Sequence, residues 1–458
     1  MNIAKTFNRF LTVLLIALAI SYLLFRYFSA LPLITVMSTM VVVGMLAGGM
    51  LFGIVGLFRS EDQNRNLLLV LCACIFAVGM VEVLAQLRQA WAVPKTAARL
   101  PSESFDMRSL AEVIRDKRKA GELVYGYVNP VGFGIEGLTP ISDARSFWCN
   151  ESGAYDGFRT DTFGFRNPPG LLNDPEFRPR LVALGDSITA GCGVKDGELM
   201  VDLLRAEFEP ATINAAVGGS GPLQQYAIFK EYMAVFKPKL VLWFYFEGND
   251  LGNLENELNE SYLKFYLERD ETRQLSQQQQ RLREELVRWH EKSLAETELP
   301  LRVGLQKPVS SILPWENITA FLMRSIILNR AHYLAKQGTR PRAKLISVYS
   351  ELLSQARDTV ANWGGQIIVV YVPEQARYSE WISLQPLSHR DAKQELLEMF
   401  QRMNFQVIDL EREFQKQVED PKTLYPTGIG TDVHLNAGGN RLAASIIIKD
   451  LRERTLWK

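Results

Sequence analysis

Four short stretches of the chain carry residues whose types and spacing could do chemistry. In Ala183-Leu184-Gly185-Asp186-Ser187-Ile188-Thr189-Ala190-Gly191 an apolar strand runs into Gly-Asp-Ser and then into a helical segment. A serine at such a turn sits exposed at the carboxyl end of a sheet, near the N–H groups of a helix start. Alone, Gly-Asp-Ser is a common turn tripeptide. The second stretch, Asn214-Ala215-Ala216-Val217-Gly218-Gly219-Ser220-Gly221, is a glycine-rich loop that lets backbone N–H groups approach a ligand oxygen. The third, Phe246-Glu247-Gly248-Asn249-Asp250, closes a very apolar run with an asparagine whose amide could donate to a developing oxyanion. The fourth is Asp432-Val433-His434-Leu435-Asn436. Of the 4 histidines, His290 and His332 fall in polar helical text and His389 in a Ser-His-Arg stretch, where a satisfied or solvated ring is expected. His434 alone has a carboxylate two residues away in a turn before a helix. Serine is a poor nucleophile until a base takes its proton, and the base needs a third group to fix its tautomer. Ser187, His434 and Asp432 are residues of the right types for those roles.

The elements that must position these residues follow from hydrophobic patterning. Past Arg178, short apolar runs at Leu181–Leu184, Thr212–Ala216, Leu240–Phe246, Gln366–Val372 and Phe405–Ile408 alternate with helical stretches such as Leu199–Phe208, Gln224–Phe236 and Ala437–Arg452. Strand–helix–strand repetition predicts an α/β fold with a parallel sheet covered on both faces. Between the third and fourth strands, about 255–344 is a polar, helical insertion with a glutamine run at Gln277–Gln280. It leaves the chain just after Asn249, so it is expected to cover the catalytic mouth, with Trp289, Trp315 and Phe321 as its apolar surface. Its charge runs read first as solvated helix faces.

Taken together, the four stretches resemble the SGNH (GDSL-type) hydrolase superfamily, over about residues 179–458. The resemblance implies a three-layer α/β/α fold related to flavodoxin. It implies that Ser187 is the nucleophile and His434 its general base, with Asp432 orienting the imidazole. The Ser187 N–H, the Gly219 N–H and the Asn249 side chain would then form the oxyanion hole. Two departures stand out. The family commonly spaces acid and base as Asp-x-x-His, whereas Thr431 occupies that acid position here. The Asp432-x-His434 spacing is instead similar to that of membrane-associated polysaccharide O-acetyltransferases, which place it before the serine. Gly218 and Gly221 also compete with Gly219 for the backbone donor.

The remaining readings concern the chain as a whole. In 458 residues Lys plus Arg equals Asp plus Glu at 51 each, so no global charge points to nucleic acid. Apolar runs near 10–32, 34–58 and 67–87 are long enough to cross a bilayer, so residues 1–90 are expected to form a membrane anchor of three helices. A positively charged N-terminus then places the rest outside the cytoplasm, in the periplasm of a Gram-negative cell. Residues 91–178 are read as a juxtamembrane segment with a helix near Met107–Lys119. Gly44, Gly48, Gly49 and Gly53 give the second span a small-residue face for packing among the three helices or against a membrane partner. Cys72 and Cys74 lie in the third span, which leaves Cys149 and Cys192 as the pair able to form a disulfide outside the membrane. No paired CxxC or Cys/His spacing suggests a metal, and no cofactor is expected. Three functions compete: a membrane-anchored esterase acting on an acyl ester, on an acylated glycan for instance; an O-acyltransferase modifying a cell-surface polysaccharide; and a non-catalytic scaffold that uses the fold only for binding.

Overall fold

The computed structural model describes residues 106, 108–173, 177–208, 212–295, 342–378, 392–426 and 434–456. The three expected spans lie outside the described residues, as do Thr431 and Asp432. Among the described residues no helix is long and apolar enough to cross a membrane.

Residues 181–409 contribute five parallel strands: β4 (Leu181–Leu184), β5 (Thr212–Asn214), β6 (Leu240–Phe246), β7 (Gln366–Val372) and β8 (Gln406–Asp409). Their order across the sheet is β5-β4-β6-β7-β8, and every neighbouring pair is parallel. This is the doubly wound order of flavodoxin, in which the chain steps outward from the first strand and then returns past it. Strands buried on both faces must be apolar throughout, and β6 reads Leu-Val-Leu-Trp-Phe-Tyr-Phe. Alternate residues serve opposite layers. Val182, Val241, Trp243, Tyr245, Val369 and Tyr371 pack with α4 (Pro222–Ile228), α8 (Arg342–Ala361) and α9 (Ala392–Arg402). Ala183, Leu242, Phe244, Ile368 and Val370 pack with α3 (Met200–Phe208), α10 (Leu410–Gln417) and α11 (Ala437–Glu453). The expected α/β/α layering is therefore present. The long helix expected over Gln224–Phe236 is instead α4 followed by a π turn (Phe229–Met233) and a 3₁₀ turn (Ala234–Phe236).

Residues 108–166 are more than a tether. Helix α1 (Leu110–Lys119) starts at a capping box: Ser109 accepts from the Glu112 N–H while the Glu112 carboxylate accepts from the Ser109 N–H. A second, three-stranded sheet follows, with β1 (Tyr125–Gly126), β2 (Arg145–Phe147) and β3 (Gly157–Arg159). The described part of the insertion braces it. Helices α5 (Asp250–Glu257) and α6 (Ser261–Glu268) lead to α7 (Gln279–Ala295), whose buried Leu286 packs with Tyr125, Ile141 and Ala144. The Arg118 guanidinium meets Glu291 at 2.7 Å, and Arg115 Nη2 donates to the Leu294 carbonyl at 2.8 Å. Trp289, expected over the catalytic opening, instead lies against Phe133, with ring centroids 4.8 Å apart and the rings tilted by 38°. Trp315 and Phe321 lie outside the described residues.

Candidate active site

Each expected site residue follows a strand at its carboxyl end. Strand β4 stops at Leu184, and the chain turns through Gly185. A Cβ there would come within 2.3 Å of Thr189 Oγ1, so only glycine fits. Asp186 caps the short helix α2 (Ser187–Ala190) by accepting from the Ile188 N–H at 3.0 Å. Ser187 Oγ stands 2.8 Å from His434 Nε2. His434 in turn sits two residues before Asn436, the N-cap of α11. The Asn436 side chain accepts from the Gly439 N–H at 2.9 Å and donates to the Thr423 and Tyr425 carbonyls. That anchoring fixes the turn that carries the imidazole.

The imidazole's other nitrogen faces Glu151. His434 Nδ1 lies 2.8 Å from Glu151 Oε1, and the His434 backbone N–H donates to Glu151 Oε2 at 2.9 Å. An ionised carboxylate only accepts, so the proton belongs on Nδ1, which leaves Nε2 to receive the Ser187 hydroxyl proton. Asp432, the acid that the sequence suggests, lies outside the described residues; among the described residues Glu151 is the carboxylate bonded to the imidazole. This carboxylate reaches His434 from a segment 283 residues away along the chain. One sequence signal pointed there. Cys149, two residues before Glu151, is joined to Cys192 with Cα atoms 5.6 Å apart, which brings the acid's loop to the loop after Ser187.

The glycine loop after β5 is sorted by its hydrogen bonds. The Gly218 N–H donates to Tyr127 Oη at 2.9 Å, the Ser220 N–H to the Val217 carbonyl at 3.1 Å, and the Gly221 N–H to Glu257 Oε1 at 2.5 Å. Among the described residues only the Gly219 N–H in this run is left without an acceptor. Gly219 has φ +75°, a left-handed conformation that favours glycine. Ser220 Oγ donates to the Gly185 carbonyl at 3.1 Å and ties this loop to the serine turn. Asn249, at the end of β6, hydrogen-bonds through its side chain to Asp186. Burial pushes the carboxyls of Asp186 and Asp250 up, and the repulsion of Asp186 adds to the rise at Asp250. A wall from the N-terminal segment completes the site. Tyr127 and Trp148 stack with centroids 4.2 Å apart, and the Trp148 ring lies 6.4 Å from that of His434.

Glu151, Cys192 and His434 place potential ligand atoms within 4.8 Å of one another. They do not fit a metal ion, since the Cys192 sulfur is bonded to Cys149 and the other two residues are bonded to each other.

The profile of the GDSL-like lipase/acylhydrolase family matches residues 181–447, more than half of the chain. The chain belongs to this family. The matched region holds Ser187, Gly219, Asn249 and His434, whereas Glu151 lies upstream of it. No curated protein matches the chain. Among solved structures it is similar to the lipase/acylhydrolase from Enterococcus faecalis, at 14% identity over 60% of this chain and 96% of that one, with a TM-score of 0.31. It is also similar to the acetyl xylan esterase AlAXEase, at 14% identity over 59% of this chain and 99% of that one, again with a TM-score of 0.31.

Proposed function

We propose that this member of the GDSL-like family is a serine esterase that hydrolyses an acyl ester through an acyl-enzyme on Ser187. The observation that supports this most is the continuous relay from Ser187 Oγ through His434 to Glu151, with both links at 2.8 Å. In the first step Ser187 Oγ attacks the acyl carbon while His434 Nε2 takes its proton. The carbonyl oxygen becomes an oxyanion that the N–H groups of Ser187 and Gly219 and the amide of Asn249 would receive. One such donor is worth roughly a hundred- to a thousand-fold in rate. Collapse of the tetrahedral intermediate breaks the ester C–O bond, and His434 returns its proton to the departing alcohol. A water molecule then repeats the sequence and releases the acid. The hydrogen bonds of Glu151 to His434 hold the ring while it carries the extra proton.

Replacing Ser187 with Ala removes one oxygen and leaves the backbone donors in place. Turnover of an aryl acetate and labelling by a fluorophosphonate are both expected to vanish, with an unchanged melting temperature. Full activity in a folded Ser187→Ala protein would remove this reading.

A further inference from the structure

A second surface feature lies on the small N-terminal sheet. Strands β2 and β3 are antiparallel, and their register places Arg145 directly opposite Arg159. Both side chains are exposed. Like charges directly opposite on one sheet face destabilise it, which an anion bound between them would relieve. The two arginines line one side of a groove of about 900 Å³, whose other walls include Arg166 and Arg205.

The groove's own carboxylates are already committed. Asp196 pairs with Arg166 at 2.8 Å, and Asp202 meets Arg205 at 2.5 Å while also accepting from the Gly197 N–H. Outside the lining, Glu122 pairs with Arg145 at 2.7 Å. Arg159 has no hydrogen-bond or ionic partner among the described residues. Four guanidiniums thus meet three acids, Arg166 and Arg205 are largely buried and held also by backbone carbonyls, and the one uncompensated guanidinium, the exposed Arg159, stands across from Arg145. Guanidinium is the side chain best shaped to take a carboxylate or phosphate in a two-pronged contact.

We propose that this groove binds an anionic glycan, a short run of sugars carrying carboxylate or phosphate groups. A cleft of this volume holds a ligand of several rings, whereas a flat bilayer surface could not enter it. The exposed Pro168–Pro169 pair adds apolar surface on which the less polar face of a sugar ring can rest. The groove is also linked to the serine loop. Arg166 Nη1 donates to the Gly191 carbonyl at 2.6 Å, and the Gly191 N–H donates to the Ser187 carbonyl at 3.1 Å. The binding itself does not depend on the esterase reading.

The test titrates the full chain with trigalacturonate, maltotriose, inorganic phosphate and vesicles of anionic phospholipid, in low and high salt. Trigalacturonate should bind at least tenfold tighter than maltotriose and phosphate, and should weaken as salt screens the arginines. The Ser187→Ala protein should bind it equally well, which separates this proposal from the esterase one. Arg159→Glu should weaken binding by tenfold or more. Should that variant not fold, Arg159→Gln provides the same comparison, and without ligand it should melt higher than the wild type because the opposed pair is gone. The proposal is overturned if maltotriose or phosphate matches trigalacturonate. It is equally overturned if only vesicles bind, or if folded Arg159 variants bind trigalacturonate as the wild type does.

Discussion

The serine half of the site and the acid half are held by different kinds of structure. Ser187, Gly219 and Asn249 each follow a buried parallel strand, and β4, β5 and β6 lie side by side in register, so the sheet itself fixes where the three loops meet. Glu151 sits in an irregular turn beyond the short strand β2 and belongs to no part of that sheet. Three separate devices hold it instead: the Cys149–Cys192 bond, the pair of hydrogen bonds to His434, and the bracing of the N-terminal segment by α7. Ser187 thus rests on the buried parallel sheet, while Glu151 is delivered to His434 from outside it by local fastenings. The two halves should fail in different ways.

The largest expected effect tests which carboxylate completes the relay. Glu151→Gln keeps the size of the side chain but removes the charge that stabilises the imidazolium and fixes its tautomer. By analogy with other serine hydrolases, kcat should fall about ten-thousandfold with little change in melting temperature. Asp432→Asn should stay near the wild type in the same assay. The opposite pattern would return the acid's role to Asp432 and leave Glu151 as a structural contact of the His434 turn.

This division also marks what was legible in the sequence. Strands β4, β6 and β7 were readable to the residue because runs such as Leu240–Phe246 are apolar throughout, as only strands covered on both faces can be. Ser187, Gly219 and Asn249 were named from the family resemblance, on stretches that follow such runs, with Gly218 and Gly221 as rivals of Gly219. Glu151 was not, because no periodicity marks a turn whose position is set by contacts distant in sequence. Its proximity in sequence made Asp432 the natural choice. Nor did the sequence show that α7 grips the N-terminal segment: Leu282, Leu286, His290 and Leu294 make a buried stripe, but a stripe does not name the surface it meets.

A smaller effect is expected from cutting the acid's tether. The Cys149–Cys192 bond closes a separation of 43 residues, for which the chain-entropy estimate is about 4 kcal/mol of stability. A Cys149→Ser/Cys192→Ser protein should therefore melt lower. Since Glu151 keeps its hydrogen bonds to His434 but loses its anchor, kcat should drop roughly ten- to a hundred-fold, well short of the Glu151→Gln loss. Loss as deep as that of Glu151→Gln would mean that the bond alone positions the acid. An unchanged kcat would mean that the other two fastenings suffice.

The smallest effect concerns the third fastening and appears only in acid. His290, fully buried on α7, accepts the Gly126 N–H of β1 on Nε2 at 2.8 Å, so it must be neutral there. Burial holds its pKa down at about 4, with Arg118 pulling the same way and Glu291 opposing. In the unfolded chain the imidazole takes its proton near pH 6.5. The contribution is thus intact above about pH 6.5 and is lost as pH falls toward 4, because over that range the unfolded state binds a proton that the folded state refuses. The full loss is of order 3 kcal/mol. Asp161 and Glu257, raised by burial to about 6 and about 7, act in the opposite sense, so the informative quantity is the difference between wild type and variant. His290→Gln keeps a side-chain acceptor for the Gly126 N–H and cannot titrate. Its urea midpoint relative to the wild type should rise steadily between pH 7.5 and 4.5. Amide protection in the wild type, corrected for the intrinsic exchange rate at each pH, should fall first in 125–151 as pH falls, before the parallel sheet responds. Parallel midpoint curves for the two proteins would show that His290 is no acid-sensitive clasp, and that the acid half is held as firmly as the serine half.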